Sequence, residues 1–315
     1  MKRIISMFSI ILVVFFSFTC CNKTTENESP ITDFKYTQTS ENSFKITGYT
    51  GADEKVVIPQ KIDGKSVTEI GDHAFSYNAN IVSVKIPNSV SYIGKMAFAN
   101  CSSVTSIDLP QNLKTIGNGA FINCSKLSHI NLSDNLTKLG SSAFANCTSL
   151  EQIKIPKNIV DWGDDTFLNC SKIKEIIFEH GLKTIGKNAF AQTGIKKIVL
   201  PESITEIHAG AFGNCQELEN VELKEGVITI GDLAFGGQSK LTEIIIPKSV
   251  TTINERAFSG CKTLKSVKFK GDAPKDYINA NPQITAVNVD YTIYYHTDAK
   301  GFSSPEWNGY KTKIW

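Results

Sequence analysis

Six cysteines are the residues of this chain best suited to chemistry, because thiols can form disulfides, bind metal or act as nucleophiles. They recur at the same place of a repeated unit, as Cys101, Cys124, Cys147, Cys170, Cys215 and Cys261. In a stack of such units the side chains are expected to run parallel, which disfavours bridges between neighbours. The sequence has no Cys-x-x-Cys pair, and no histidine accompanies this column. We therefore predict buried free thiols and no metal site.

Catalysis has little support in the sequence. The five histidines are scattered over different repeat positions and the tail, at His73, His129, His180, His208 and His296. The neighbouring carboxylates Asp164 and Asp165 fall on a variable turn, where a solvated surface explains them. The chain also has no Gly-x-Ser-x-Gly elbow, no His-Glu-x-x-His pair and no phosphate-binding loop. We predict that the protein is not an enzyme and needs no cofactor.

The positions of these residues are set by a phenylalanine that recurs every 23 residues, or 22 in one case. It appears nine times, as Phe75, Phe98, Phe121, Phe144, Phe167, Phe190, Phe212, Phe235 and Phe258. A fixed period over some 200 residues predicts a stacked repeat architecture, in which each unit buries its apolar face against its neighbours. Nine units of about 23 residues are expected over 67–270, with the phenylalanines inside.

One unit shows the elements that the repeat predicts. In residues 104–126, apolar residues at 104, 107 and 109 form the inward side of a short strand, and Pro110 ends that strand. Leu113 and Ile116 form a second inward segment, and Ala120–Phe121 begins a compact turn. A glycine follows the second segment in seven units, with His208 or Asn254 in the other two. Since these three residue types tolerate positive φ, we predict a left-handed backbone there and a conformational role for His208.

The N-terminus has the features of an export signal. Lys2 and Arg3 precede an apolar stretch over 4–18, too short to span a membrane but suited to a signal peptide. The stretch ends at Cys20 and Cys21, and a polar run follows. This order resembles the lipobox of bacterial lipoproteins, which would make Cys21, or alternatively Cys20, the lipid-bearing residue. An ordinary secretory signal or a short membrane anchor is the other interpretation.

These patterns together predict a domain organisation. We expect a lipoprotein signal peptide over 1–20, a polar tether over 21–32, an N-terminal cap over 33–66, repeats over 67–270 and a C-terminal cap over 271–315. The formal net charge of +2 gives no field to attract nucleic acid, so a nucleic-acid partner is not expected. Four units carry Asn-Cys-Ser or Asn-Cys-Thr, and the asparagine is expected to satisfy neighbouring backbone groups along the stack.

The unit as a whole resembles the BspA-like leucine-rich repeat. Good matches are VSVKIPNSVSYIGKMAFANC at 82–101 and LTEIIIPKSVTTINERAFSGC at 241–261. The resemblance implies an α/β, mostly β, right-handed solenoid with a parallel sheet on its concave face and turns or helical turns on its convex face. It also implies a bacterial surface protein, because family members include proteins that bind host matrix proteins or other cells.

A binding site is expected at outward positions of the concave strands. The middle of this series combines apolar and charged residues, namely Glu175, Ile177, Lys197, Val199, Glu243 and Ile245. Apolar side chains beside mixed charges suit a protein partner. The alternative is an ordinary β-face, in which β-branched residues pair across strands and Glu175 lies near Lys197.

Three functions follow from these patterns. The first is a surface-anchored lipoprotein that binds another macromolecule through its concave face, as an adhesin for host or cell-surface proteins. The second is a structural or scaffolding module of the bacterial envelope with an endogenous partner. The third, glycan binding, would need aromatic residues on the concave face, and the predicted positions carry none.

Overall fold

The structure, a computed structural model, describes residues 28–254, 256–274, 276–277 and 291–315. The described part begins with an extended segment that contacts the strand Lys55–Val57. The Ser29 N–H donates to the Val57 carbonyl oxygen at 3.0 Å, and the Val57 N–H donates to Ser29 Oγ at 3.1 Å. Ser29 is buried. The last residues of the predicted tether therefore pack on the start of the stack.

The N-terminal part adds a hairpin to the first repeats. A 3-10 helix at Ile31–Asp33 precedes β1 (Phe34–Ser40), β2 (Ser43–Tyr49), β3 (Lys55–Val57), β4 (Lys61–Ile62) and β5 (Lys65–Ile70). Strands β1 and β2 are antiparallel, and β2 pairs in parallel with β5. In this way the hairpin covers the open end of the stack.

The repeats then contribute two kinds of short strand, which alternate along the chain except that only an isolated bridge at His129 lies between β9 and β10. In chain order they are β6 (Ser83–Lys85), β7 (Tyr92–Ile93), β8 (Ser106–Asp108), β9 (Thr115–Ile116), β10 (Lys138–Leu139), β11 (Gln152–Ile155), β12 (Asp161–Trp162), β13 (Glu175–Phe178), β14 (Thr184–Ile185), β15 (Lys197–Val199), β16 (Glu206–Ile207), β17 (Asn220–Glu222), β18 (Thr229–Ile230), β19 (Glu243–Ile246), β20 (Thr252–Ile253), β21 (Ser266–Phe269) and β22 (Asp276–Tyr277). The C-terminal part adds β23 (Thr292–Tyr295), β24 (Glu306–Trp307) and β25 (Tyr310–Ile314).

Each kind of strand forms its own parallel ladder along the stack. The first ladder contains β3-β6-β8, β11-β13, β15-β17 and β19-β21-β23-β25, and an isolated bridge joins Ser106 to His129. The second ladder contains β5-β7-β9-β10-β12 and β14-β16-β18-β20-β22. Paired residues hold equivalent repeat positions, as in Lys154↔Ile177 and Val199↔Glu222. The described residues form a mostly β solenoid of about 11 turns, more than the nine units predicted.

The third side of each turn consists of turns joined by backbone hydrogen bonds. Each repeat phenylalanine before the last donates its N–H to the carbonyl of the residue preceding the next phenylalanine, as from Phe121 to Ala143 at 2.8 Å. No α-helix occurs in the described part of the chain, so the turns are not helical. The predicted phenylalanine spine is confirmed. Consecutive rings stack with centroids 4.8–6.1 Å apart and planes within 3–11°.

The glycine column does not have the left-handed backbone that was predicted. None of its seven glycines has a positive φ, and neither does His208 or Asn254. The column instead reflects close approach of neighbouring turns. A Cβ built on Gly117 would lie 2.7 Å from the carbonyl carbon of Gly94, which leaves no room for a side chain.

Left-handed backbone occurs instead at two other columns of the repeat. One lies two residues before the phenylalanine, as at Met96 (φ 51°) and Ser142 (φ 55°), and the other lies two residues after it and holds the repeated asparagines. Asn100, Asn123, Asn146 and Asn169 have φ between 58° and 62°. Their amides bond to one another, since Nδ2 of each of the last three donates to Oδ1 of the asparagine one turn earlier at 2.8–2.9 Å. The asparagine side chains therefore hydrogen-bond to one another along the stack, and not to neighbouring backbone groups as predicted.

Candidate functional site

The six predicted contact residues lie on three strands of the first ladder. Glu175 and Ile177 are on β13, Lys197 and Val199 are on β15, and the other two, Glu243 and Ile245, are on β19. Alternation along each strand turns these side chains away from the core formed by Ile176, Ile198 and Ile244. They share one outward face, which we call the first-ladder face.

Exposure divides the apolar members of this set. The side chains of Ile177 and Val199 are 47% and 42% exposed and occupy consecutive turns. Ile245, two turns further along, is only half-buried. The exposed apolar surface is therefore concentrated at Ile177 and Val199.

Glu222 separates the two parts of the predicted site. It is paired in register with Val199, so it occupies the turn between Val199 and Ile245. Hydrogen bonding from Lys224 holds the pKa of the Glu222 carboxyl below its usual range. A carboxylate that stays ionised at this point interrupts the apolar surface, so the six residues do not form one continuous patch.

The ion pairs on this face differ from those expected. Lys197 Nζ lies 3.8 Å from Glu222 Oε2, one turn further along. Glu243 pairs with Lys268 at 2.7 Å, which lowers the pKa of the Glu243 carboxyl. The pairs join residues of successive turns. Pairs at this level of exposure contribute little stability, typically below about 1 kcal/mol.

Two further strands continue the first-ladder face beyond the predicted positions. Register pairs Lys268 with Tyr294 on β23 and Tyr294 with Lys313 on β25. Lys268 Nζ lies 6.0 Å from the Tyr294 ring centroid and 5.5 Å from that of Trp315, which is 40% exposed. The face therefore carries aromatic residues at its C-terminal end. The alternation in TIYY at 292–295 was the sequence signal for this extension.

The cysteine column offers no reactive group. All six thiols are free and buried. Burial raises the pKa of Cys101, Cys215 and Cys261 to about 11 and that of Cys170 to about 12, so the thiolate is disfavoured at neutral pH. Each Sγ donates to the carbonyl oxygen of the phenylalanine one turn earlier, for example Cys124 to Phe98 at 3.2 Å. The described residues contain no cluster of three or more metal-binding side chains.

The predicted lipid-bearing residues Cys20 and Cys21 lie outside the described residues, as do the whole signal peptide and most of the tether. Within the described part, no helix is long and apolar enough to cross a membrane.

Sequence and structure comparisons agree on the family. The model of the BspA type leucine rich repeat region matches residues 68–193 and 183–295. A leucine-rich repeat protein from Bacteroides ovatus is 26% identical, over 92% of this chain and 77% of its own, with a TM-score of 0.73. A leucine rich repeat protein of T. pallidum is 27% identical over 65% of this chain and 85% of its own, with a TM-score of 0.53.

A third solved structure supports the fold alone. It is a leucine rich cell surface protein from Faecalibacterium prausnitzii, 22% identical over 91% of this chain and 95% of its own, with a TM-score of 0.60. No curated protein matches the chain. Leucine-rich repeat proteins typically mediate protein interactions and form a non-enzymatic solenoid family. Since the matched segments cover most of its length, the chain belongs to the BspA-type leucine-rich repeat family.

Proposed function

We propose that this protein is anchored at the cell surface and binds another protein through the first-ladder face, as an adhesin for host or cell-surface proteins. The observation that carries the proposal is the exposure of Ile177 and Val199 on consecutive turns, between the charged residues Lys154 and Glu222 of the adjoining turns. Apolar side chains of this kind form the buried centre of a protein interface, with charged residues such as Lys154 and Lys197 at its rim.

Anchoring through Cys21, or alternatively Cys20, completes this proposal. It is supported by the signal-like N-terminus and by the likeness to a cell surface protein. Two acyl chains would hold the protein firmly at a membrane. Mass spectrometry of the mature N-terminus tests it, since an unmodified N-terminus at either cysteine, or a retained signal sequence, would contradict lipidation.

Binding is tested with a fragment that begins at residue 28, because Ser29 bonds to Val57 and belongs to the folded part. The fragment is screened for saturable binding to host-matrix and cell-surface proteins. We expect the double variant Ile177→Lys, Val199→Glu to lose binding while its circular dichroism spectrum stays unchanged.

The matched control is Val160→Lys, which changes an 86% exposed apolar residue next to the second ladder. We expect this variant to bind normally. Equal loss in both variants would contradict a site on the first-ladder face. No saturable binding to host proteins, together with capture of a partner from the organism's own envelope, would favour the scaffolding function instead.

Glycan binding is a second candidate, favoured by the aromatic residues Tyr294 and Trp315 at the C-terminal end of this face. Aromatic rings with a neighbouring ion pair suit stacking on a sugar ring. The test is a glycan array on the wild-type fragment and on Trp315→Ala. Binding that survives this substitution, or no binding by the wild type, would exclude that site.

A further inference from the structure

Both ladders are interrupted at the same level of the solenoid. In the second ladder one sheet ends at β12 and the next begins at β14, and in the first ladder one sheet ends at β13 and the next begins at β15. The first ladder has other interruptions, near residue 129 and between β17 and β19, but there the second ladder continues. Among the described turns, strand pairing is absent from both ladders only at the level between residues 160–178 and 183–199.

The backbone hydrogen bonds at the ends of the second-ladder strands change at this level too. One turn earlier the Val160 N–H donates to the Thr137 carbonyl, and one turn later the Thr205 N–H donates to the Lys183 carbonyl. The equivalent bond between Lys183 and Val160 is not formed, although both residues are described. The same holds for Gly186 and Trp162, whereas His208 donates to Ile185 at 3.0 Å in the next turn.

Two large aromatic side chains lie at this level. Trp162 takes the inward position of the second ladder that Leu139 and Ile185 hold in adjacent turns. Phe178 takes the position that Ile155 and Leu200 hold in the first ladder. Phe269 holds it too, with β21 and β23 still paired, so the level is distinguished by having Trp162 and Phe178 together. An aromatic ring is longer than an aliphatic side chain, so at these positions it reaches into the next turn.

Both rings contact the same residue of the next turn, Phe190. The Trp162 ring lies 5.9 Å from the Phe190 ring and the Phe178 ring lies 5.6 Å from it, each edge-on. A Cβ built on Gly186 would lie 2.5 Å from Trp162 Cδ1, so the indole fills the space over that glycine. The two rings act as wedges on two sides of one level.

The third side stays bonded. Asp165 donates its N–H to the Lys187 carbonyl and Phe167 donates to the Ala189 carbonyl, both at 2.8 Å. The rings of Phe167 and Phe190 stack at 5.3 Å and 4°, as elsewhere in the spine. The level thus lacks strand pairing on two sides and keeps its backbone hydrogen bonds on one.

We infer that the solenoid contains a hinge at this level, with the phenylalanine side as its axis and two separately cooperative blocks on either side. The N-terminal block ends with β13 and the C-terminal block begins with β14. In repeat proteins, cooperativity passes through the interfaces of neighbouring repeats. Loss of two of the three bonded sides weakens one such interface. This inference does not depend on the proposed partner.

The experiment measures hydrogen exchange of the folded protein after truncating one ring in each block. Phe121→Ala and Phe235→Ala lie two turns from the hinge on opposite sides. Each substitution removes a fully buried ring, which should reduce amide protection by roughly a hundredfold or more within its own block. We expect the other block to keep its protection within a few-fold, and equal loss in both blocks would overturn the hinge.

A repaired variant, Trp162→Ile with Phe178→Ile, tests the cause. It should close both ladders, so that Phe121→Ala in this background also lowers protection in the C-terminal block. The matched control is Leu139→Ile with Ile155→Leu, one turn earlier in the same two positions, which should leave the blocks separate. If the repaired variant does not fold, the comparison of Phe121→Ala with Phe235→Ala still decides whether the hinge exists. If the repaired variant folds and the two blocks still lose protection separately, the two aromatic rings are not the cause of the hinge.

Discussion

The Gln238 side chain lies 2.7 Å from the carbonyl oxygen of Phe212, to which its Nε2 donates a hydrogen bond. Gln238 occupies the repeat position that cysteine holds in six other turns. There each Sγ donates to the equivalent phenylalanine carbonyl at 3.0–3.3 Å. The position therefore selects a small or slender hydrogen-bond donor, and cysteine is the residue that supplies it with least polar surface.

Gln238→Cys should stabilise the protein. It keeps a donor for Phe212 and removes the Gln238 Oε1 atom, which is buried without a hydrogen-bond partner. We expect the free energy of unfolding to rise by about 1 kcal/mol. Gln238→Ala should lower it by about 1–3 kcal/mol, because the carbonyl loses its donor. Urea titration measures both, and a cysteine variant less stable than the alanine variant would contradict the donor role.

Asn146 should be replaced more easily by glycine than by alanine. Its φ is 62°, a left-handed conformation that costs alanine about 1 kcal/mol of folding free energy relative to glycine. Both substitutions lose the amide bonds to Asn123 and Asn169. Chemical denaturation of the two variants separates the contributions. Equal stability would show that the amide bonds, and not the backbone conformation, select asparagine.

Gly117→Ala should destabilise the stack although Gly117 has no positive φ. The added Cβ would meet the Gly94 carbonyl carbon at 2.7 Å, and neither neighbouring backbone can move without breaking bonds to the next turn. We expect a loss of about 1–3 kcal/mol in thermal or urea unfolding. Asp63→Ala, at a turn with φ of 49°, is a comparison in which strain comes from the backbone instead. An unaffected Gly117→Ala would refute the close-approach explanation.

Thiol burial should make stability fall at high pH. Burial raises the pKa of Cys101 to about 11 from an ordinary value of 9.0, so the folded state keeps its proton while the unfolded thiol ionises. This contribution is complete below pH 9 and is lost as pH rises from 9 towards 11. Urea unfolding at pH 8, 9 and 10 should show a shallower decline for Cys101→Ala than for the wild type. A thiol reagent should label none of the six native cysteines at pH 8.

The sequence determines the interior of this fold because interior residues repeat. The fixed spacing is sufficient to predict that Phe144 lies against Phe121 and Phe167, and the rings do stack at 5.0 and 5.2 Å. Burial of the cysteines follows from the same argument. The sign of φ does not, because a glycine is equally suited to a left-handed turn and to close backbone approach. The period alone gave no means of choosing between them at Gly117.

The outward residues were harder to predict. The expected pairing of Glu175 with Lys197 assumed an unbroken first ladder, whereas β13 and β15 belong to separate sheets and the ion pair of Lys197 is with Glu222. Part of the signal was present in the sequence, since Trp162 stands where the neighbouring turns have Leu139 and Ile185. The tail over 271–315 is predicted to be a cap, and its strands nevertheless extend the first-ladder face.

The hydrogen bonds of the third side have a consequence for how such chains can change by recombination. Phe121, Phe144 and their equivalents make the same backbone hydrogen bond to the next turn. A junction between any two of these turns therefore presents the same donor on one side and the same acceptor on the other. On the phenylalanine side, whole repeats can therefore be duplicated, deleted or exchanged with each junction remaining compatible. Each exchange brings a new set of outward residues, so the first-ladder face can diversify one repeat at a time.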